Sequence, residues 1–118
     1  MSLEIHLVGK KWRNSEETID GFKVLSVVLE LAAWKNNELL YNYMSSVIFS
    51  DFPLPGSRLY EEDLDKIIEA LSTQPSMIYG NDTKQAEEDL ATFLKVKKWY
   101  LKYFPNAHVE YDVAYTGP

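Results

Sequence analysis

The sequence predicts an α+β domain: a small, mainly antiparallel sheet from the N- and C-terminal strands, packed with about four helices. Three observations carry that prediction. Apolar and polar residues alternate near both ends, over residues 3–8 and 107–115, which is the period of a half-buried strand. Between them, apolar residues recur at helical spacing, most regularly over residues 83–104. Pro53, Pro55, Pro75 and Pro105 fall between these segments, where they interrupt no element. With no internal repeat and no linker, residues 1–118 read as one domain.

Leu3, Ile5 and Leu7 alternate with Glu4 and His6 in the first strand, which Gly9 and Lys10-Lys11 end. Ser15-Glu16-Glu17 reads as an N-cap followed by acidic first-turn residues. From there Ile19, Phe22, Leu25, Val28, Leu29 and Ala32 share one helical face. Gly21 weakens that helix by about 1 kcal/mol relative to Ala, and residues 24–31 are β-branched enough to leave a strand open. Asn36-Asn37 breaks the element. A second helix is expected over residues 38–49, with Leu39, Leu40, Tyr43, Met44 and Val47 inward.

Phe52-Pro53-Leu54-Pro55-Gly56 is a loop. Ser57 is placed to cap a third helix with Tyr60, Leu64, Ile67, Ile68 and Leu71 buried, and Pro75 stops it. Met77-Ile78-Tyr79 reads as a short strand. The fourth and longest helix follows, about residues 83–104, with Ala86, Leu90, Phe93, Leu94, the stem of Lys97, Tyr100, Leu101 and Phe104 inward. In the last strand Val109, Tyr111, Val113 and Tyr115 face one way and His108, Glu110 and Asp112 the other.

Composition narrows the function. The chain has 46% hydrophobic and 25% charged residues, the balance of a globular domain, and 14% aromatic residues, a type that protein interfaces favour. It has no cysteine, which excludes disulfides, thiolate nucleophiles and Cys-ligated zinc, and fits a cytoplasmic protein. A net charge of −6 argues against nucleic-acid and anionic-membrane partners and for a basic protein partner. Lys97-Lys98 beside Trp99-Tyr100 is too small a basic patch to reverse that.

The strongest functional signal is an acidic stripe. Glu61, Asp65 and Glu69 recur every four residues along the third helix, where each like-charged pair costs about 0.2–0.5 kcal/mol. The helix N-terminus favours Glu61, but Asp65 and Glu69 gain little from the dipole. Tyr60 and Phe52 are the candidate anchors beside the stripe. In size, acidity, aromatic content and lack of catalytic motifs the chain resembles bacterial immunity and antitoxin-type inhibitors, a resemblance of composition. It implies a protein-binding module that masks a basic partner, with Glu61, Asp65 and Glu69 pairing to Lys or Arg.

Two other readings stand beside it. His6, His108, Glu110 and Asp112 gather on one sheet face if the outer strands are neighbours, and such a set suits a divalent metal or acid–base catalysis. Side chains two apart on a strand are separated by about 6.6 Å, and the set also fits an ordinary solvated face. No nucleophile elbow, phosphate loop or other cofactor motif is present, so no cofactor is expected. A homo-oligomer built on Tyr111, Tyr115 and Trp99 is the third reading.

Overall fold

A computed structural model describes residues 2–12, 18–51 and 53–116 of the chain. The predicted N-cap at Ser15 and the candidate anchor Phe52 lie outside the described residues. Strands β1 (Ser2–Trp12) and β6 (Ala107–Thr116) pair antiparallel at the centre of a sheet, with Ile5 opposite Val113 and Leu7 opposite Tyr111. Alternation does what it predicts: Leu3, Ile5 and Leu7 are buried on one face, and Glu4, His6 and Lys10 lie on the other.

The segment expected as a helix over residues 15–32 is extended where it is described. It forms β2 (Thr18–Ile19), β3 (Phe22–Lys23) and β4 (Ser26–Lys35). Asp20 and Gly21 both have positive φ (50° and 84°), as the two-residue turn of a tight hairpin requires. β4 then pairs with β1, with Ile5 opposite Trp34 and Lys10 opposite Val28, and one register shift between Leu7 and Val8. Val27 and Val28 decide for the strand that the composition left open. Asn36 ends it at φ 58°, with its side chain accepting from the Leu3 amide at 3.0 Å.

The remaining elements cover one face of the sheet. Helix α1 (Glu38–Tyr43) is capped by Asn37, whose side chain accepts from the Leu40 amide, and runs on as a π-helical turn over Met44–Ile48. Ser57 does not cap a helix; it opens β5 (Ser57–Leu59), which pairs with β6 and completes the order β4-β1-β6-β5. Helix α2 (Glu61–Thr73) begins after Tyr60, whose amide donates to the Asp63 side chain at 2.9 Å. Residues 77–79, expected as a strand, belong to the single turn α3 (Ser76–Tyr79). Asp82 caps α4 (Thr83–Tyr103) by accepting from the Gln85 amide.

Ile5, Leu7, Val109 and Tyr111 of the sheet meet Leu40 and Met44 of the second helical segment, Leu64 and Ile67 of α2, and Phe93, Val96 and Tyr100 of α4. Leu39, Tyr60, Leu94, Leu101 and Phe104, expected inward, are exposed. The buried stripe of each helix is narrower than its apolar content. Gly9 makes room for the Trp99 ring of α4: a Cβ there would lie 2.7 Å from that ring and 2.9 Å from Leu31.

No side chain of residues 18–30 is buried. The distal half of the β1–β4 ribbon and the β2–β3 hairpin thus extend past the helical layer. The extents of 52 × 36 × 25 Å and the radius of gyration of 15.6 Å reflect this, the latter against about 13.5 Å for a compact chain of this length.

Candidate protein-interaction site

The acidic stripe lies on the exposed side of α2, and the packing of α4 divides it. Asp65 forms an ion pair with Lys97 of α4, and that bond raises the lysine pKa, with the Glu61 charge adding to it. The anomaly of Asp65 is therefore settled inside the molecule: its carboxylate ties two helices together. Glu69 sits on the flank facing Lys66 and Met77, where the three residues border a separate small cleft.

Glu61 and Glu62 keep a different setting. With Tyr60, Asp65, Tyr100 and Phe104 they line one shallow cleft of about 380 Å³. Tyr60 is 50% exposed and Phe104 56% exposed. The Arg58 guanidinium lies 4.8 Å from the Tyr60 ring centre, and Phe104 packs on Tyr100 at 5.5 Å. Both rings are thus held in place while offering a free apolar surface. Among the described residues, neither Glu61 nor Glu62 forms an ion pair. Phe104, like Tyr60, is a cleft residue that helical spacing placed in the core. Its position directly before Pro105, past the end of α4, is the signal that could have found it.

The four residues of the catalytic reading do share the uncovered sheet face. His6 stands opposite Asp112, and Lys10 opposite His108. They divide into three separate sets, however. His6 Nδ1 meets Glu30 at 2.6 Å, and Asp112 accepts from the Gly56 amide at 2.9 Å. Glu110 holds both His108, at 2.5 Å, and Lys10, at 3.1 Å. Burial pushes the Glu110 pKa up, but the bonds and charges of His108 and Lys10 outweigh it and leave it lowered. Among the described residues no group of three or more His, Asp or Glu side chains is placed to hold one metal ion.

A third polar cluster was not anticipated. Asp89, which follows the exposed Glu87 and Glu88 in α4, is only 1% exposed. It accepts from Trp34 Nε1 at 2.9 Å, from Gln85 Nε2 at 2.8 Å and from the Tyr79 hydroxyl, which itself accepts from Asn37 at 2.8 Å. Burial and the bond to Asp89 drive the Tyr79 pKa far above its ordinary value. A cleft of about 560 Å³ opens over Asn37, Tyr79 and Gln85. The network joins β4, α1, α3 and α4, and its donors satisfy the carboxylate, so it reads as a structural pin.

Of the three aromatic residues of the homo-oligomer reading, Tyr111 is buried and cannot form a contact. Trp99 is spent against Gly9 and Tyr103, and Tyr115 alone is exposed. The described helices include none long and apolar enough to cross a membrane. The chain matches no protein-family model, and neither a curated protein nor a solved structure is significantly similar to it.

Proposed function

We propose that the protein is a small acidic binding module, acting in the cytoplasm, that masks a basic surface of a partner protein in the manner of an immunity or antitoxin-type inhibitor. One observation carries the reading. Two half-exposed aromatic rings, Tyr60 and Phe104, stand in a cleft rimmed by Glu61, Glu62 and Asp65. An aromatic centre with a charged rim is the layout in which a few anchors supply affinity and the charges supply steering. The partner segment that fits presents Lys or Arg beside an aliphatic or aromatic side chain.

The test uses immobilised synthetic peptides that combine Lys or Arg with one large apolar residue, read by biolayer interferometry over a salt series. Binding should weaken as salt rises. The charge reversals Glu61→Lys and Glu62→Lys should flatten the salt slope, and Tyr60→Ala should lower affinity about tenfold or more, as loss of an anchor does. If the protein binds none of these peptides, or if all three variants bind with unchanged affinity and salt slope, the reading fails.

A further inference from the structure

The two edges of the sheet differ. Among the described residues, β5 closes one edge with three residues, whereas β4 leaves ten residues along the other with no strand beside them. A free edge of that length is a template for another strand, and proteins usually blunt such edges with proline, lysine or inward charges. β4 has no proline, its lysine is the last residue, and Glu30 is drawn to His6. Its centre is apolar and outward: Val28 is 60% exposed, and Leu25, Leu29 and the hairpin residues Ile19 and Phe22 are exposed beside it.

The pattern of this edge says what covers it. Leu25-Ser26-Val27-Val28-Leu29-Glu30-Leu31 has the same order of apolar and polar residues read in either direction. An antiparallel pairing of two identical strands about a two-fold axis needs a segment with that property, because each residue meets its mirror position. A different partner places no such demand on the sequence.

We infer that β4 pairs antiparallel with β4 of a second copy of this chain, about a two-fold axis through Val28, so that the two sheets run on as one. Val28 then faces Val28, Val27 faces Leu29, Ser26 faces Glu30 and Leu25 faces Leu31. The register keeps the faces matched. Ser26, Val28 and Glu30 share the uncovered face, since they pair with Trp12, Lys10 and Val8 of β1. A slip of one residue would set outward side chains against inward ones. An axis through Glu30 would set two carboxylates opposite each other.

Charge and area agree. The chain carries −6 overall, but residues 18–35 hold Asp20 and Glu30 against Lys23 and Lys35, so this edge meets its copy without net repulsion. Ile19, Phe22, Leu25, Val28 and Leu29 are exposed apolar side chains at this edge. At about 60–100 Å² each they bring two copies to roughly 600–1,000 Å², and the strand edges add to it, which reaches the lower end of stable interfaces.

Sedimentation velocity and light scattering on the full chain, from micromolar to near-millimolar concentration, test this. The expected result is a reversible species of twice the 13.7 kDa protomer mass. Val28→Lys and Val28→Glu should each raise the dimer dissociation constant at least tenfold, and mixing the two variants should restore the dimer. Val28→Cys, in a chain with no other cysteine, should cross-link under mild oxidation, and Met77→Cys on α3 should not. Val28→Cys reads the same edge should a charge disturb the pairing with β1. A monomer at every concentration, an open-ended polymer, or a dimer unaffected by both Val28 charge variants would each overturn the inference.

Discussion

Removing the Asp89 carboxylate should cost the fold about 3–5 kcal/mol, the range for breaking a buried charged network from one side. The magnitude follows from its partners. Asp89→Ala deprives the buried Tyr79 hydroxyl and the Trp34 indole N–H of their acceptor, at about 1–3 kcal/mol for each unsatisfied donor. Gln85 can turn to the adjoining cleft and water, so its loss is smaller. Relief from burying the carboxylate offsets part of the sum. Asp89→Asn keeps a carbonyl oxygen for Trp34 and Gln85 but turns an amide donor towards Tyr79, and should cost about 1–2 kcal/mol. For a chain of 118 residues each kcal/mol moves Tm by about 4 °C. The alanine variant should then melt about 12–20 °C lower and the asparagine variant about 4–8 °C lower. Urea unfolding followed by tryptophan fluorescence and circular dichroism measures both, and coincident transitions would license a two-state treatment. If Asp89→Ala lies within about 1 kcal/mol of wild type, or Asp89→Asn is equally damaging, the pin reading is wrong.

Gly9→Ala should destabilise by about 1–3 kcal/mol, the cost of overpacking, because its Cβ meets the Trp99 ring; a shift in Trp99 emission alongside the lower Tm would mark the contact. Burial raises the phenol pKa values of Tyr79, Tyr111 and Tyr43 above their ordinary 10.0. Their contribution is therefore whole below pH 10 and is lost as pH rises through the folded values, at up to about 1.4 kcal/mol per pH unit for each. Phenolate absorbance should rise together with loss of circular dichroism in alkaline titration, and free titration of all the phenols in a folded chain would contradict this. Glu110 behaves in the opposite sense. Its pKa is lowered from 4.5, so its contribution is present above that pH and lost as pH falls through the folded value. Glu110→Gln should flatten the decline of stability below about pH 4.5, which acid titration of both proteins by circular dichroism would check.

The elements read correctly from sequence are those whose local pattern and tertiary burial agree. β1 and α2 bury the face that their period marks, β6 buries it as far as Tyr111, and α4 buries Ala86, Phe93 and Tyr100 of its marked face but leaves Leu94 and Leu101 exposed. The misreading of residues 15–32 has a definite cause. Ile19, Phe22, Leu25 and Val28 happen to recur every three residues, but the structure buries none of them, so their spacing records no core face. Asp20-Gly21 was the stronger signal, since those two residues together accept the positive φ of a hairpin turn. In the candidate cleft, the exposure of Glu61 was legible from the helix start, whereas that of Tyr60, also placed among the buried positions, was not. The pairing of Asp65 with Lys97 was not, because it depends on how α2 and α4 lie against each other. Asp89 was hidden for the same reason: four charges near a helix start look alike until tertiary contacts bury one of them.

The pairing of β1 with β6 also governs when the chain can fold. Ser2 lies opposite Thr116 and Lys11 opposite Ala107, so the central ladder of the sheet joins the two ends of the described chain. Such long-range closure is slow, since a large loop must be brought together before its contacts form. Within this domain β1 and β4 are made before the helices and can pair at once, but β1 keeps one open edge until residues 107–116 have left the ribosome. For most of its synthesis the chain therefore presents an apolar ribbon with both edges unsatisfied. Pairing with β6 closes the β1 edge, and a chain interrupted before residues 107–116 would be a substrate for chaperones and proteases rather than a slightly shorter version of the same domain.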